Sequence, residues 1–261
     1  MGLIWFVPKA HKSLIYYPTL EALKLNKVQA LDIACATNEL IVLTDSGVIF
    51  RREGMDATKP VGTKWMLIKN NKSKSRITSV SVHTKESILW CCDTNGETWT
   101  HTMRPHKWSL INDYNSHSIE MRKVCVSVTD WTVVWGIDRS GKIFVRTFNK
   151  SVDQKQDFRG DEWLLMDGIL ATDIALYDHT VIIAVEGNQL FRRSAKIRQS
   201  DSSNEWQPVV VPDIPPEDSV TSVSVTENND IWIMTATGLV WHTINQLDRH
   251  SVKEESDWLI I

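Results

Sequence analysis

The chain of 261 residues lacks the features of a membrane-spanning or secreted protein. No apolar run approaches the roughly 20 residues that a membrane-spanning helix needs. The apolar run near the start stops at Pro8 and has no charged segment ahead of it, so a signal peptide is not predicted. Four cysteines are too few for a disulfide framework in a chain of this length. A reducing compartment is therefore expected.

Concentrated positive charge and catalytic motifs are absent too. The net charge of −3 gives no basis for nucleic-acid binding, which depends on clustered positive charge. The sequence contains no His-x-x-x-His or Cys-x-x-Cys pair for zinc, no Gly-x-Ser-x-Gly elbow and no phosphate-binding glycine loop. We therefore expect no enzyme activity, no cofactor and no metal site.

Tryptophan is abundant, with twelve residues against eleven glycines and four tyrosines. This bias indicates a motif that is used repeatedly. A glycine followed by an aliphatic and an aromatic residue recurs at spacings of 45, 49, 45, 46 and 51 residues. The six copies begin at Gly2, Gly47, Gly96, Gly141, Gly187 and Gly238. Such a period is typical of repeat architectures.

Two further elements accompany the glycine motif. An aliphatic strand such as "ITSVSV" (from Ile77) or "VTSVSV" (from Val220) precedes each of the last five copies. A Trp-x-x-aliphatic segment follows, at Trp65, Trp108, Trp163, Trp206 and Trp258. Each unit is thus predicted to form four short strands, with an Asp, Asn or Gly turn before the third strand. Repeated four-stranded units predict an all-β protein, a β-propeller.

The number of copies suggests how the ring is built. The first and second strands occur five times and the third strand six times, and Gly2 begins the chain at a third strand. The favoured prediction is a six-bladed propeller with an incomplete first blade, as in the C-terminal part of a longer protein. Five blades with an N-terminal hairpin are the alternative. Residues 1–253 form the propeller in this prediction, and residues 254–261 form an acidic tail.

These motifs resemble the tectonin β-propeller repeat family, most closely at "ITSVSVHTKESILWCCDTNGETWTH" and "VTSVSVTENNDIWIMTATGLVWH". The segment "ATDIALYDHTVIIAVEGNQLF" departs from the pattern. The acidic Trp-x-x-Ile end is similar to one group of that family. That resemblance implies a cytoplasmic scaffold of autophagy and the secretory pathway. It also implies trafficking or tethering proteins as partners, a membrane surface as a further candidate, and a C-terminal motif for ubiquitin-like autophagy modifiers.

The tail is the first candidate site. An extended peptide that docks on a sheet edge needs an aromatic and an aliphatic anchor with acidic neighbours. The tail supplies these groups in Glu254, Glu255, Asp257, Trp258 and Ile261. Trp258 is also the fifth copy of the repeated Trp, so it could instead close the last blade. One indole cannot be buried in the blade and in a partner at the same time.

The second candidate site is a repeated set of basic residues two places beyond the aromatic residue of the third strand: Arg52, His101, Arg146 and Arg193. Residues i and i+2 share a face of a strand, so each cation is expected beside that aromatic ring. In a tectonin-type lectin, the alternative function, they would form pockets for an anionic or glycan ligand. The structural interpretation pairs them with Asp45, Asp93, Asp138 or Glu186.

Overall fold

The computed structural model describes residues 5–6, 15–16, 29–36, 39–69, 75–83, 88–111, 119–148, 158–178, 180–185, 187–194, 205–226, 230–243 and 258–260. Within these ranges every regular element is a β-strand. They include no helix that is long and apolar enough to cross a membrane.

Five antiparallel four-stranded sheets, the blades, follow one another along the chain. The first contains β3 (Ala30–Ala36), β4 (Glu39–Thr44), β5 (Ile49–Glu53) and β6 (Lys64–Ile68), and the second β7 (Ile77–His83), β8 (Ile88–Asp93), β9 (Thr98–Met103) and β10 (His106–Leu110). The third contains β11 (Met121–Val126), β12 (Val134–Asp138), β13 (Lys142–Arg146) and β14 (Trp163–Leu170). The fourth contains β15 (Asp173–Tyr177), β16 (Thr180–Val185), β17 (Gln189–Ser194) and β18 (Gln207–Val209), and the fifth β19 (Val220–Val225), β20 (Ile231–Thr235), β21 (Val240–Thr243) and β22 (Trp258–Ile260).

The prediction of an all-β propeller with four-stranded blades is confirmed, but the prediction of six blades is wrong. The described residues form five four-stranded blades, and β1 (Trp5–Phe6) pairs with β2 (Ile15–Tyr16) in a separate two-stranded sheet. The reason is the number of repeats, because the first and second strands of a blade occur only five times. This arrangement matches the alternative of five blades with an N-terminal hairpin.

The core lies between consecutive blades. The second strand of one blade packs against the first and second strands of the next, as Trp90 and Cys92 do against Val124 and Val134. The same pattern recurs where Trp135 of the third blade packs on Ile174 of the fourth. Trp90 and Trp135 are completely buried. Flat rings of this size fill the space between twisted sheets and bury a large apolar area.

Hydrogen bonds from side chains to the backbone reinforce these interfaces. Asp32 of the first blade accepts a hydrogen bond from the backbone amide of Val80 in the second, at 3.0 Å. Asp173 of the fourth blade accepts one in the same way from Val223 of the fifth, at 2.9 Å. Each bond satisfies an amide of an innermost strand and ties consecutive blades together.

The turn before the third strand touches the following blade. Gly96 has a φ of 81°, and a Cβ atom placed on it would lie 2.6 Å from the backbone of Glu120 in the segment that leads into the third blade. In the fourth blade Asn188 takes the corresponding place with a φ of 61°. Its side-chain oxygen accepts a hydrogen bond from the amide of Val220 in the fifth blade. This asparagine explains why the fourth repeat looked irregular in the sequence.

Gly96→Ala should destabilise the protein more than Gly238→Ala does. Both glycines have positive φ, so each alanine costs ~1 kcal/mol of backbone strain. Only the alanine at position 96 also collides with backbone atoms, because a Cβ atom at position 238 meets nothing within 4 Å. That collision should cost about 1–3 kcal/mol more in the free energy of unfolding, measured by urea denaturation. Equal losses for the two variants would contradict this account of the blade contacts.

Candidate functional site

Trp258 lies inside the last blade. It is 6% exposed and pairs with Thr243 in the ladder between β22 and β21. Its indole Nε1 donates a 2.9 Å hydrogen bond to the carbonyl of Val210 in the fourth blade. Residues 258–260 thus belong to the propeller, although the sequence had been divided at residue 253. Glu254, Glu255, Asp257 and Ile261 lie outside the described residues.

A second blade shows the same use of its tryptophan. Trp108 pairs with His101 and donates through Nε1 to the carbonyl of Lys69 in the first blade, at 2.9 Å. The indoles of Trp108 and Trp258 therefore both bind a backbone carbonyl of the preceding blade. In the described arrangement, the indole of Trp258 closes the blade, and a partner could take it only if β22 detached from β21.

Arg52 and Arg146 are buried and bind backbone carbonyls of their own blades. Arg52 Nε donates to Val61 at 2.7 Å, and the guanidinium carbon lies 5.2 Å from the ring centre of Trp65. Arg146 Nε donates to Arg159 at 2.8 Å, and its guanidinium carbon lies 5.4 Å from the ring centre of Trp163. Each arginine therefore fixes the loop that leads from the third strand to the fourth.

Arg193 and His101 occupy the same position in the fourth and second blades. The Arg193 guanidinium carbon lies 5.2 Å from the ring centre of Trp206 and 5.5 Å from that of Trp135 in the preceding blade. The His101 imidazole stacks against Trp108, with ring centres 4.6 Å apart. Burial, with a smaller effect from His106, lowers the pKa of His101 to about 4.

The sequence placed this basic set correctly in the repeat, but it did not predict the ring contacts with the fourth strand. The four side chains are between 2% and 8% exposed, and each lies beside the tryptophan of the fourth strand. The expected acidic partners are engaged elsewhere. The carboxylates of Asp93 and Asp138 accept hydrogen bonds from backbone amides of their own turns. Glu186 lies outside the described residues.

Sequence reasoning missed a charged group on the first strands. Lys123 Nζ contacts Asp173 at 2.6 Å. Burial alone would lower the pKa of Lys123, but the negative charges of Asp173 and Asp32 oppose it, and the pKa is raised. Burial raises the pKa of Asp32, although Lys123 opposes that shift. The signal for this group was a charged residue within the first-strand motif, at the second position of "LDIACA" and at the third position of "MRKVCV" and "ATDIAL". No cluster that could hold a metal ion occurs in the described part of the chain.

The first blade has an uncovered face, which we call the first-blade face: Leu31, Ile33, Cys35 and Leu67. Leu31, Ile33 and Leu67 are 49%, 41% and 55% exposed, and Cys35 is exposed as well. The residues that match Ile33 in the ladders of the other blades are at most 4% exposed: Val80, Val124, Ile174 and Val223. The difference arises because the preceding blade covers each of those four.

The fifth blade has the complementary uncovered face, which we call the fifth-blade face: Trp232, Met234, His242 and Leu259. Met234 is 45% exposed, whereas its counterparts Leu43, Cys92 and Ile137 are fully buried. Trp232 and His242 stack with ring centres 4.7 Å apart and are partly exposed. Among the described residues, no hydrophobic cluster joins the fifth blade to the first.

Comparison with known proteins finds similarity in structure only. No family model matches the chain, and no curated protein matches its sequence. Human WBSCR16 superimposes with a TM-score of 0.55 at 9% identity, over 83% of this chain and 62% of WBSCR16. YCF48 bound to D1 peptide superimposes with a TM-score of 0.52 at 10% identity, over 90% of this chain and 67% of that one. A chain of the Kap60 complex with yeast RCC1 (Prp20) superimposes with a TM-score of 0.54 at 10% identity, over 91% of this chain and 60% of that one.

The chain thus spans about three fifths of two of these structures, at 62% and 60% of their lengths. Identities of 9% and 10% show a shared fold and nothing finer. The likeness supports the β-propeller and leaves the tectonin resemblance as a prediction.

His101 should make stability depend on pH. Its pKa of about 4 in the folded chain lies below the ordinary value of 6.5, so protonation favours the unfolded state. The contribution of the neutral imidazole is complete above pH 6.5 and should be lost as pH falls towards 4. His101→Gln should remove this component from a plot of urea midpoint against pH, whereas substitution of the exposed His106 with Gln should leave it. A His101→Gln profile that overlays the wild type would contradict the assignment.

Proposed function

We propose that the chain is a non-enzymatic protein-interaction module. The observation that carries this proposal is the pair of uncovered apolar surfaces, the first-blade face and the fifth-blade face. Ile33 and Cys35 of the first-blade face, and Trp232 and Met234 of the fifth-blade face, occupy positions whose described counterparts in the other blades are buried. Exposed apolar surface of this kind, held on rigid sheets, is typical of sites that bind other proteins.

Two of the structural neighbours lend general support. One is YCF48 with a bound D1 peptide, and another comes from the complex of Kap60 with RCC1. These descriptions concern those proteins, and the identity of about a tenth carries over only the fold. A propeller that offers surfaces to polypeptides is the function that agrees with both the neighbours and the exposed faces.

The tectonin resemblance supplies the finer part of the proposal. The chain would act in the cytoplasm as a scaffold of autophagy or membrane trafficking. It would bind trafficking or tethering proteins on autophagic or secretory-pathway membranes. Its tail would dock a ubiquitin-like autophagy modifier through Trp258 and Ile261, with the acidic residues Glu254, Glu255 and Asp257 against a basic rim.

Docking through the tail would require β22 to leave the blade. That strand has three residues, and its ladder with β21 has only three residue pairs. Leu259 in its middle is 46% exposed, so only part of the strand is held by burial. Short terminal elements of this kind open locally at lower cost than the rest of a fold. The apparent affinity for a modifier would fall in proportion to the fraction of molecules in which β22 is released.

The lectin alternative has less support. Its pockets would be built from Arg52, His101, Arg146 and Arg193, which are at most 8% exposed. The nitrogens of Arg52 and Arg146 are engaged with loop carbonyls of their own blades. A glycan would have to replace those contacts before it could bind.

The tail proposal predicts that a peptide of residues 250–261 binds a ubiquitin-like autophagy modifier more tightly than the whole chain does, because the peptide has no blade to leave. Trp258→Ala together with Ile261→Ala should abolish both interactions, as measured by calorimetry. We also expect this double variant to lower the melting temperature of the whole chain by several degrees, since a buried indole is lost. Absence of binding by the peptide would refute docking and leave Trp258 as a closing residue alone.

A second variant separates the two roles of β22. His242 and Leu259 are partners in the ladder, so His242→Cys with Leu259→Cys is designed to tie β22 to β21 by a disulfide. Oxidation should prevent modifier binding by the whole chain, and reduction should restore it. The same two thiols under reducing conditions serve as the matched control. Equal binding in the oxidised and reduced states would show that β22 does not need to open.

A further inference from the structure

We propose that the space between the first-blade face and the fifth-blade face accepts a two-stranded β-hairpin from a partner polypeptide. This inference rests on the interaction function proposed above and names the kind of partner that the two faces fit. It follows from three features of the described residues: which side chains are uncovered, which are already covered, and what the turn of the last blade touches.

The first feature is that the two faces need different complements. Ile33 lacks the second-strand side chains that a preceding blade would provide, as Ile41 and Leu43 provide for Val80. Met234 lacks the first-strand aliphatic residue that a following blade would provide, as Val124 provides for Cys92. The occupant must therefore turn side chains like those of a blade's first strand towards the fifth blade. It must turn side chains like those of a blade's second strand towards the first blade. A single pair of antiparallel strands can do both, because its two faces point in opposite directions.

The second feature limits the size of the occupant. On the first blade, the inner strand β3 is uncovered at Leu31, Ile33 and Cys35. Farther out on the same side, Leu40 and Val42 are buried and pack against Met55, Val61 and Trp65 of their own blade. Leu67 on the outermost strand is exposed too, but so is its counterpart Leu165 in the third blade, so the surface that lacks a neighbour lies along β3. Two strands would cover this area, and a complete four-stranded sheet is not needed.

The third feature is the turn at Gly238. In the first three blades, a Cβ atom on the corresponding glycine would meet the segment that leads into the next blade: Gly47 meets Arg76, Gly96 meets Glu120 and Gly141 meets Ala171. At Gly238 nothing lies within 4 Å. Among the described residues, the fifth blade therefore lacks the neighbour that the first three blades have at this turn.

The chemistry of the occupant follows from these counterparts. The first-strand positions of the other blades that match Ile33 and Cys35 hold valine, isoleucine or leucine: Val80, Val82, Val124, Val126, Ile174, Leu176, Val223 and Val225. The second-strand positions that match Trp232 hold a large apolar residue, as in Ile41, Trp90 and Trp135. We therefore expect an uncharged, alternating apolar pattern on both strands, because a buried charge without a partner would be costly.

Cys35 provides the readout, since it is exposed while Cys91, Cys92 and Cys125 are buried. The probe is a synthetic peptide of residues 220–235, the cysteine-free first hairpin of the fifth blade. Burial, with a smaller effect from Asp32, raises the pKa of the Cys35 thiol to about 12, so the rate of labelling by iodoacetamide is followed at pH 9. We expect one thiol per native chain to react, as counted by mass spectrometry. The peptide should bind with one-to-one stoichiometry and protect Cys35. A peptide of the same composition in scrambled order should not protect it.

Variants of the chain test where the peptide binds. Ile33→Asp should weaken peptide binding at least about tenfold, because it places a carboxylate against an apolar strand. Leu165→Asp is the matched control, since Leu165 is 49% exposed on the outer strand of the third blade. Both substitutions are at exposed positions, so thermal melting should show folded proteins.

Four outcomes would overturn the proposal. Failure of the peptide to protect Cys35 is the first, and equal affinity for the Ile33→Asp and Leu165→Asp variants is the second. Protection of Cys35 in the isolated monomer would mean that the chain covers its own face. Protection that rises with protein concentration, together with a dimer in light scattering, would identify a second copy as the occupant. None of these outcomes involves the tail, so modifier binding is tested separately.

Discussion

Burial of one sheet against the next is the interaction on which the rest of this structure depends. Each blade has two apolar faces, and each face gains stability by packing against a neighbouring sheet. The large residues of the second strand, such as Trp90 and Trp135, fill the space in front of the first strand of the following blade. Asp32 and Asp173 then accept hydrogen bonds from amides in the first strand of the second and of the fifth blade. This dependence on neighbours explains why the two ends of the series of blades differ from its middle.

The repeated tryptophan of the fourth strand has a related role, and it changes the interpretation of the tail. Trp108 and Trp258 both donate to a carbonyl of the blade before their own, so each indole links two sheets as well as two strands. The basic residue beside the tryptophan varies with its surroundings. Arginine holds a loop in the first and third blades, whereas histidine stacks between two rings in the second. In the fifth blade Thr243 occupies this position and accepts a hydrogen bond from the amide of Ile231.

The sequence was sufficient to predict the strands, the order of strands within a blade and the tryptophan positions, because all three follow from a repeated pattern. It failed where the register shifted. Alignment of the motifs "LDIACA", "ITSVSV" and "MRKVCV" matches Cys35 with Ser81 and Cys125, but a bulge after Ala30 places Ala34 at that ladder position and turns Cys35 to the uncovered face. The blade number was wrong because β1 has only β2 as its described partner in a sheet, so a third-strand motif did not imply a blade. The group of Asp32, Lys123 and Asp173 was missed, since it spans three repeats and only the ring brings them near.

The fifth blade is where the two proposed interactions would meet. Leu259 of β22 pairs with His242 of β21 in the ladder. His242 in turn pairs with Trp232 of β20, and the two rings stack. All three side chains therefore belong to the fifth-blade face. A hairpin seated against Trp232 would hold His242 in its stacked position beside Leu259 and so strengthen the attachment of β22, while a modifier would need β22 to be free. Two ligands that favour opposite states of one strand must weaken each other's binding by the same factor. The scaffold would then offer its tail when the gap is empty and withdraw it when the gap is filled.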